Sequence, residues 1–193
     1  MKNFMIALIT FVLAVFVLLA FPSAGEEAVY ENTLRLHVLA ASDSTEDQNA
    51  KLLVRDAVLR EHGEAFLSAK TKKEAEEYLA SHIAAVEATV ENTLKAHGLS
   101  YSFAVTLTEE HFDARNYGDV TLPEGKYTAL KITLGEGEGQ NFWCMLYPAL
   151  CVTPALGERI SAEEAYGDAA YALVTNGYAV RFRTLELFSS LLD

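Results

Sequence analysis

The chain has 193 residues, with 15 Lys and Arg against 27 Asp and Glu and a formal net charge of -12. A body this acidic repels phosphate backbones, which excludes nucleic acid as a first-choice partner. Apolar residues make up 51%. The first 25 residues raise that share, and the rest of the chain has an ordinary globular composition, no low-complexity run and enough length for one domain.

The amino terminus sets the compartment. Met1-Lys2-Asn3 carries one positive side chain, and Phe4 to Phe21 follows with Thr10 as its only residue that is not apolar. Pro22-Ser23-Ala24-Gly25 and Glu26-Glu27 close the segment. A basic start, an apolar run and small residues describe a secretory signal peptide. The run is also just long enough to span a bilayer. Residues 1–25 are therefore expected to be a signal peptide or a membrane anchor, and 26–193 an exported domain. Cleavage after Gly25 suits the small-residue rule better than cleavage after Ala24, which puts Pro22 three positions before the cut. Membrane contact is expected through this segment alone.

Beyond it, Thr33 to Leu39 alternates apolar and polar residues, a strand with Leu34, Leu36 and Val38 on one face. Ser44 with Asp47, or Thr45 with Gln48, can cap a helix carrying Ala50, Leu53, Val54, Ala57 and Val58, expected to stop near Gly63. Thr71-x-x-Glu74 is a capping box for a long helix ended by Gly98, with Ala75, Leu79, Ile83, Val86, Val90 and Leu94 as its apolar stripe. A second strand is expected over Ser100–Thr108, and a polar connection over Glu109–Gly125. A third strand covers Lys126–Leu134 and a fourth Asn141–Tyr147, with the Gly135–Gly139 stretch read as a mobile hairpin link between them. Ser161-x-x-Glu164 opens a further helix closed by Asn176-Gly177. A last strand over Ala179–Arg183 and a short helix over Leu185–Leu192 complete the pattern. This order predicts an α+β fold, with a mainly antiparallel sheet and helices packed on one face.

Chemistry-bearing patterns are sparse. Gly135-x-Gly137-x-Gly139 lacks the Lys and Thr of a phosphate loop and contains Glu136 and Glu138. The five histidines are dispersed, and the one local cluster is Glu109-Glu110-His111-x-Asp113, read as a solvated loop. Cys144 and Cys151 are the only cysteines. On a straight strand they would stand about 23 Å apart, but Pro148 between them can turn the chain back. Export favours a disulfide between them, with two buried thiols as the alternative. The segment Phe142–Cys151 also gathers the only Trp and two other aromatics. A strand apolar on both faces is buried on both, whereas the tip after Pro148 is expected to be exposed. Trp143, Tyr147, Pro148 and Leu150 are accordingly the candidate partner-binding residues, with a buried corner as the alternative. No catalytic constellation, metal site or cofactor site is expected.

Two stretches carry a resemblance. The first is Leu34-Arg35-Leu36-His37-Val38-Leu39-Ala40-Ala41-Ser42-Asp43-Ser44-x-x-Asp47-Gln48, continuing into Val54-Arg55-Asp56-Ala57-Val58. The second is Tyr117-Gly118-Asp119 with Pro123-x-Gly125-Lys126-Tyr127-x-Ala129-Leu130-x-Ile132-x-Leu134-Gly135-x-Gly137-x-Gly139-x-Asn141, through Trp143-Cys144-x-Leu146-x-Pro148-x-Leu150-Cys151. Together they resemble the stage II sporulation protein R family of endospore-forming bacteria, from the exported amino terminus to about Val152. Ala41, Phe142 and Ala149 depart from the Asn, Trp and Pro expected there.

The resemblance implies a non-enzymatic signalling protein, made in the forespore and exported into the space between the septal membranes. There it would activate a membrane-embedded aspartic protease of the mother cell, which processes the early mother-cell pro-sigma factor. The family has no catalytic residues to carry over. The alternative from another class is a secreted hydrolase using Cys144 or the Glu109–Asp113 cluster.

Overall fold

The computed structural model describes residues 2–20, 24–149 and 162–175. Its centre is strand β1, Leu34–Leu39, in a four-stranded sheet. Strand β5, Gly125–Leu134, lies parallel on one side of β1, pairing Leu36 with Leu130. Strand β6, Asn141–Tyr147, lies antiparallel on the other, pairing Leu36 with Cys144. Strand β2, Phe103–Phe112, is antiparallel to β5 and forms one edge. The sheet is thus mostly antiparallel, with one parallel pair at its heart.

Alternation along β1 divides the interior. Leu34, Leu36 and Val38 join Leu130, Ile132, Leu134 and Leu146 beneath helices α3, Thr45–Ser68, and α4, Lys72–Ala96. Helix α3 starts as its sequence predicts: the Asp47 backbone N–H donates to the Ser44 hydroxyl, satisfying a first-turn donor. It does not stop near Gly63 but runs to Ser68, because Phe66 and Leu67 beyond the glycine are buried. That packing outweighs the ~1 kcal/mol propensity cost of a helical glycine. Helix α4 is capped by Thr71, and the Glu74 carboxylate reaches back to the Lys70 N–H. It bends at His82, whose Nδ1–H donates to the Tyr78 carbonyl at 2.9 Å and competes with the helical ladder.

The second face of the sheet is covered as well, so helices do not lie on one face only. Helix α2, Ala24–Glu31, strands β3, Arg115–Tyr117, and β4, Val120–Leu122, and helix α5, Ala162–Thr175, enclose a second cluster. That cluster contains Val29, Phe112, Leu122, Tyr127, Met145, Tyr166 and Val174. The 109–125 connection therefore continues β2 to Phe112 and then forms the small β3–β4 hairpin. The Gly135–Gly139 stretch is not a hairpin link, because β1 lies between β5 and β6. It passes the end of β1, where the Gly139 N–H donates to the Ala40 carbonyl at 2.9 Å. A Cβ at Gly139 would collide with the Ser42 carbonyl group, so glycine is required by close approach.

Helix α1, Lys2–Ala20, precedes this body, and Phe4, Leu8, Phe11 and Leu13 along it are exposed. Among the described residues, no helix is long and apolar enough to cross a membrane. The predicted strand over 179–183 and helix over 185–192 lie outside the described residues.

Candidate functional site

The two stretches that carry the family resemblance meet at the end of the sheet where β1 and β5 finish. Ser42 donates to Asp47 Oδ2 at 2.5 Å and accepts from the Ser44 N–H at 3.1 Å. Gln48 Nε2 donates to the Ser42 carbonyl. The second stretch closes on the first: the Gln140 N–H donates to Asp43 Oδ1 at 2.7 Å, and Lys51 Nζ spans Gln48 Oε1 and the Gln140 carbonyl. Hydrogen bonds from Ser42 and Tyr101 hold the Asp47 carboxyl below its usual range. In return, the hydrogen bond to Asp47 pushes the Tyr101 phenol up to about 12. Burial pulls the Lys51 ammonium down. These polar residues act on one another and lock two loops together.

On the second face, β1 contributes Arg35 and His37, both buried. His37 Nδ1 lies 2.6 Å from Glu110 Oε2, and its Nε2 lies 2.9 Å from Asn141 Oδ1. Glu110 Oε1 lies 2.8 Å from Lys131 Nζ. Burial pushes the Glu110 carboxyl up, but Lys131 and His37 outweigh it and hold it below the usual range. Arg35 is 0% exposed, with its guanidinium 4.0 Å from the Phe112 ring centre and 5.0 Å from that of Tyr127. Its Nη2 donates to the Tyr117 hydroxyl at 2.6 Å, while Nε and Nη1 have no hydrogen-bond partner among the described residues. Burial pulls the guanidinium down, and Tyr117 partly offsets that. Sequence reasoning missed both residues, since a polar position in an alternating strand reads as solvent-facing.

The expected partner-binding residues do not form one exposed patch. Trp143 lies on the second face, 5.7 Å from the His37 ring, with the Arg115 guanidinium 4.0 Å over it. Cys144 is its neighbour and packs against the first-face core. A register shift between Leu34 and Arg35 lets Tyr147 join that first face. Tyr147 is only 3% exposed and donates from its hydroxyl to the Lys70 carbonyl at 2.9 Å. Pro148, joined to it by a cis peptide bond, and Ala149 are buried too. As far as it is described, the turn is a packed corner and not an exposed tip. Leu150 and Cys151 lie outside the described residues.

The residues of the hydrolase alternative are likewise dispersed. Strand β2 runs through Glu109–Phe112, so Glu110 faces His37 while its neighbours Glu109 and His111 face the other way. His111 is exposed and pairs with Glu124 at 3.1 Å. Cys144 and His37 occupy opposite faces of the sheet. Among the described residues, no group of three His, Cys, Asp or Glu side chains could hold a metal ion.

Fold and contacts define a small α+β protein whose sequence motifs build two interlocked loops and a buried polar spine. The chain belongs to the stage II sporulation protein R family: the family profile described as Stage II sporulation protein R (spore_II_R) matches residues 30–156. Stage II sporulation protein R of Bacillus subtilis (strain 168) is 34% identical over 135 residues, covering 69% of this chain and 60% of that relative. No solved structure matches. Family membership places the chain in sporulation.

Proposed function

We propose that this chain is an exported, non-enzymatic signalling protein of sporulation. Its body acts in the space between the septal membranes, where it activates a membrane-embedded aspartic protease of the mother cell. That protease then processes the early mother-cell pro-sigma factor. The single observation that carries the proposal is the family match, which covers the central sheet, both long helices and both interlocked loops. The apolar Phe4–Phe21 run supports export, and Cys144 and Cys151 are proposed to form a disulfide there. An activator shifts its receptor only by binding the active state more tightly than the idle one. The body must therefore discriminate between two states of the protease.

The test co-produces the full chain with the protease and pro-sigma factor of the same organism in vegetative cells. Processing is expected with the full chain, lost when Phe4–Phe21 is deleted, and restored by an unrelated cleavable signal. Processing driven by the cytoplasmic form, or none with the folded, exported protein, overturns the proposal.

A further inference from the structure

A groove of about 450 Å³ runs between the amino-terminal half of α4 and the edge of the sheet. Helix α4 lines it with Lys73, Glu76, Glu77 and Ala80, and the sheet with Leu107, Thr108, Glu109 and Thr128. Leu107 stands opposite Leu130 and Glu109 opposite Thr128, so the floor continues the α3–α4 face of the sheet out to its margin. All four α4 positions precede the bend at His82. Ala80 is exposed and Leu107 half-buried, which leaves an apolar floor open to solvent.

We propose that this groove docks an extended segment of a partner protein, one carrying an apolar side chain between basic residues. Three observations select that occupant. Among the described residues β2 pairs with β5 alone, so its outer edge directs unpaired backbone groups toward an incoming strand. At the rim Lys72 pairs with Glu76 at 3.3 Å and Lys73 with Glu77 at 3.7 Å, which leaves Glu109 as a net negative charge beside the apolar floor. The whole chain is at -12, which disfavours a second copy of itself and an anionic lipid surface alike. An apolar anchor fills the space over Ala80 and Leu107, its basic neighbours meet the glutamates, and its backbone extends the sheet.

The inference rests on reading this chain as a protein that acts by contact, and its test separates the two. The probe is the peptide Lys-Val-Lys-Leu-Lys-Val-Lys, labelled with a fluorophore and titrated against the purified full chain. Saturable binding is expected, weakened at least tenfold by Ala80→Phe, which fills the groove without changing charge. Glu109→Gln should weaken it severalfold, and a control peptide with its Val and Leu replaced by Ser should not bind. Equal binding of the control peptide, or by Ala80→Phe at an unchanged melting temperature, overturns the groove as a docking site. In the processing assay, Ala80→Phe should reduce pro-sigma cleavage at least tenfold at equal exported protein, with Glu91→Gln near the far end of α4 as an unaffected control. Wild-type cleavage by Ala80→Phe would overturn the groove and leave the activator role standing. Loss of cleavage by the wild-type chain would instead strike the activator role.

Discussion

On the side of β1 that carries Leu34, Leu36 and Val38, the interior is mainly aliphatic and roofed by two long helices that follow directly in the chain. On the side that carries Arg35 and His37, it is aromatic and polar, roofed by α2, a small hairpin and α5, which come from three distant parts of the chain. The first face gains from burying apolar area, roughly 25 cal/mol per Å². The second buries a guanidinium with two nitrogens unpartnered among the described residues and an imidazole whose two nitrogens are both taken. Adjacent residues on one strand therefore serve opposite ends. The aliphatic face supplies stability, while the polar face fixes which strands lie side by side by tying β1, β2, β5 and β6 through His37, Glu110, Lys131 and Asn141.

Neighbouring substitutions sharpen this contrast. Leu36→Ala leaves a cavity among well-packed neighbours and is expected to cost ~3 kcal/mol, read as a shift in denaturant midpoint at constant slope. Arg35→Met keeps most of the volume and removes the orphan donors, so stability should hold or rise by ~1–2 kcal/mol. A loss as large as that for Leu36→Ala would show that the aromatic ring faces compensate the guanidinium fully, and the two faces would then be energetically alike.

A smaller effect separates the faces by pH. His62 is buried between α3 and α4, with Nδ1 2.8 Å from the Tyr78 hydroxyl and Nε2 3.1 Å from the Thr89 hydroxyl. Burial pulls its imidazole below the ordinary 6.5, against a raising influence from Glu61. The folded state therefore favours the neutral ring. Its contribution is complete above pH 6.5 and is lost as pH falls through the lowered folded value. The melting temperature should decline from pH 7.5 to pH 5, and His62→Gln should flatten that decline. An unchanged slope in the variant would assign the acid sensitivity to other groups, the lowered carboxyls of Asp47 and Glu110 among them.

The first face was legible in the sequence because its apolar residues recur with the periods of strand and helix, and the caps at Ser44 and Thr71 sit where their side chains dictate. The second face was hidden by its own chemistry. Arg35 and His37 occupy the positions that alternation assigns to solvent, and α2 is too short for its period to stand out. One signal did point there: Phe142–Tyr147 is apolar on both faces, and a strand of that kind needs cover on both sides. Applied to β1, its neighbour, the same logic would have buried Arg35. The Glu109–Asp113 cluster misled for a related reason: read as a loop it gathers acid and base, whereas a strand parts them to opposite faces.

The place of β1 has a consequence for how the chain comes to be folded. Among the described strands it is the first to be synthesised, and it ends between the last two, β5 and β6, with the Gly135–Gly139 passage crossing its end. Leu36 has no neighbour on either side until Leu130 and then Cys144 have been made. No amino-terminal portion can close the sheet early, and the cost of bringing such distant segments together slows the search. A nascent chain thus cannot complete this sheet until Tyr147 of its 193 residues has been made, a delay that would suit the export proposed above.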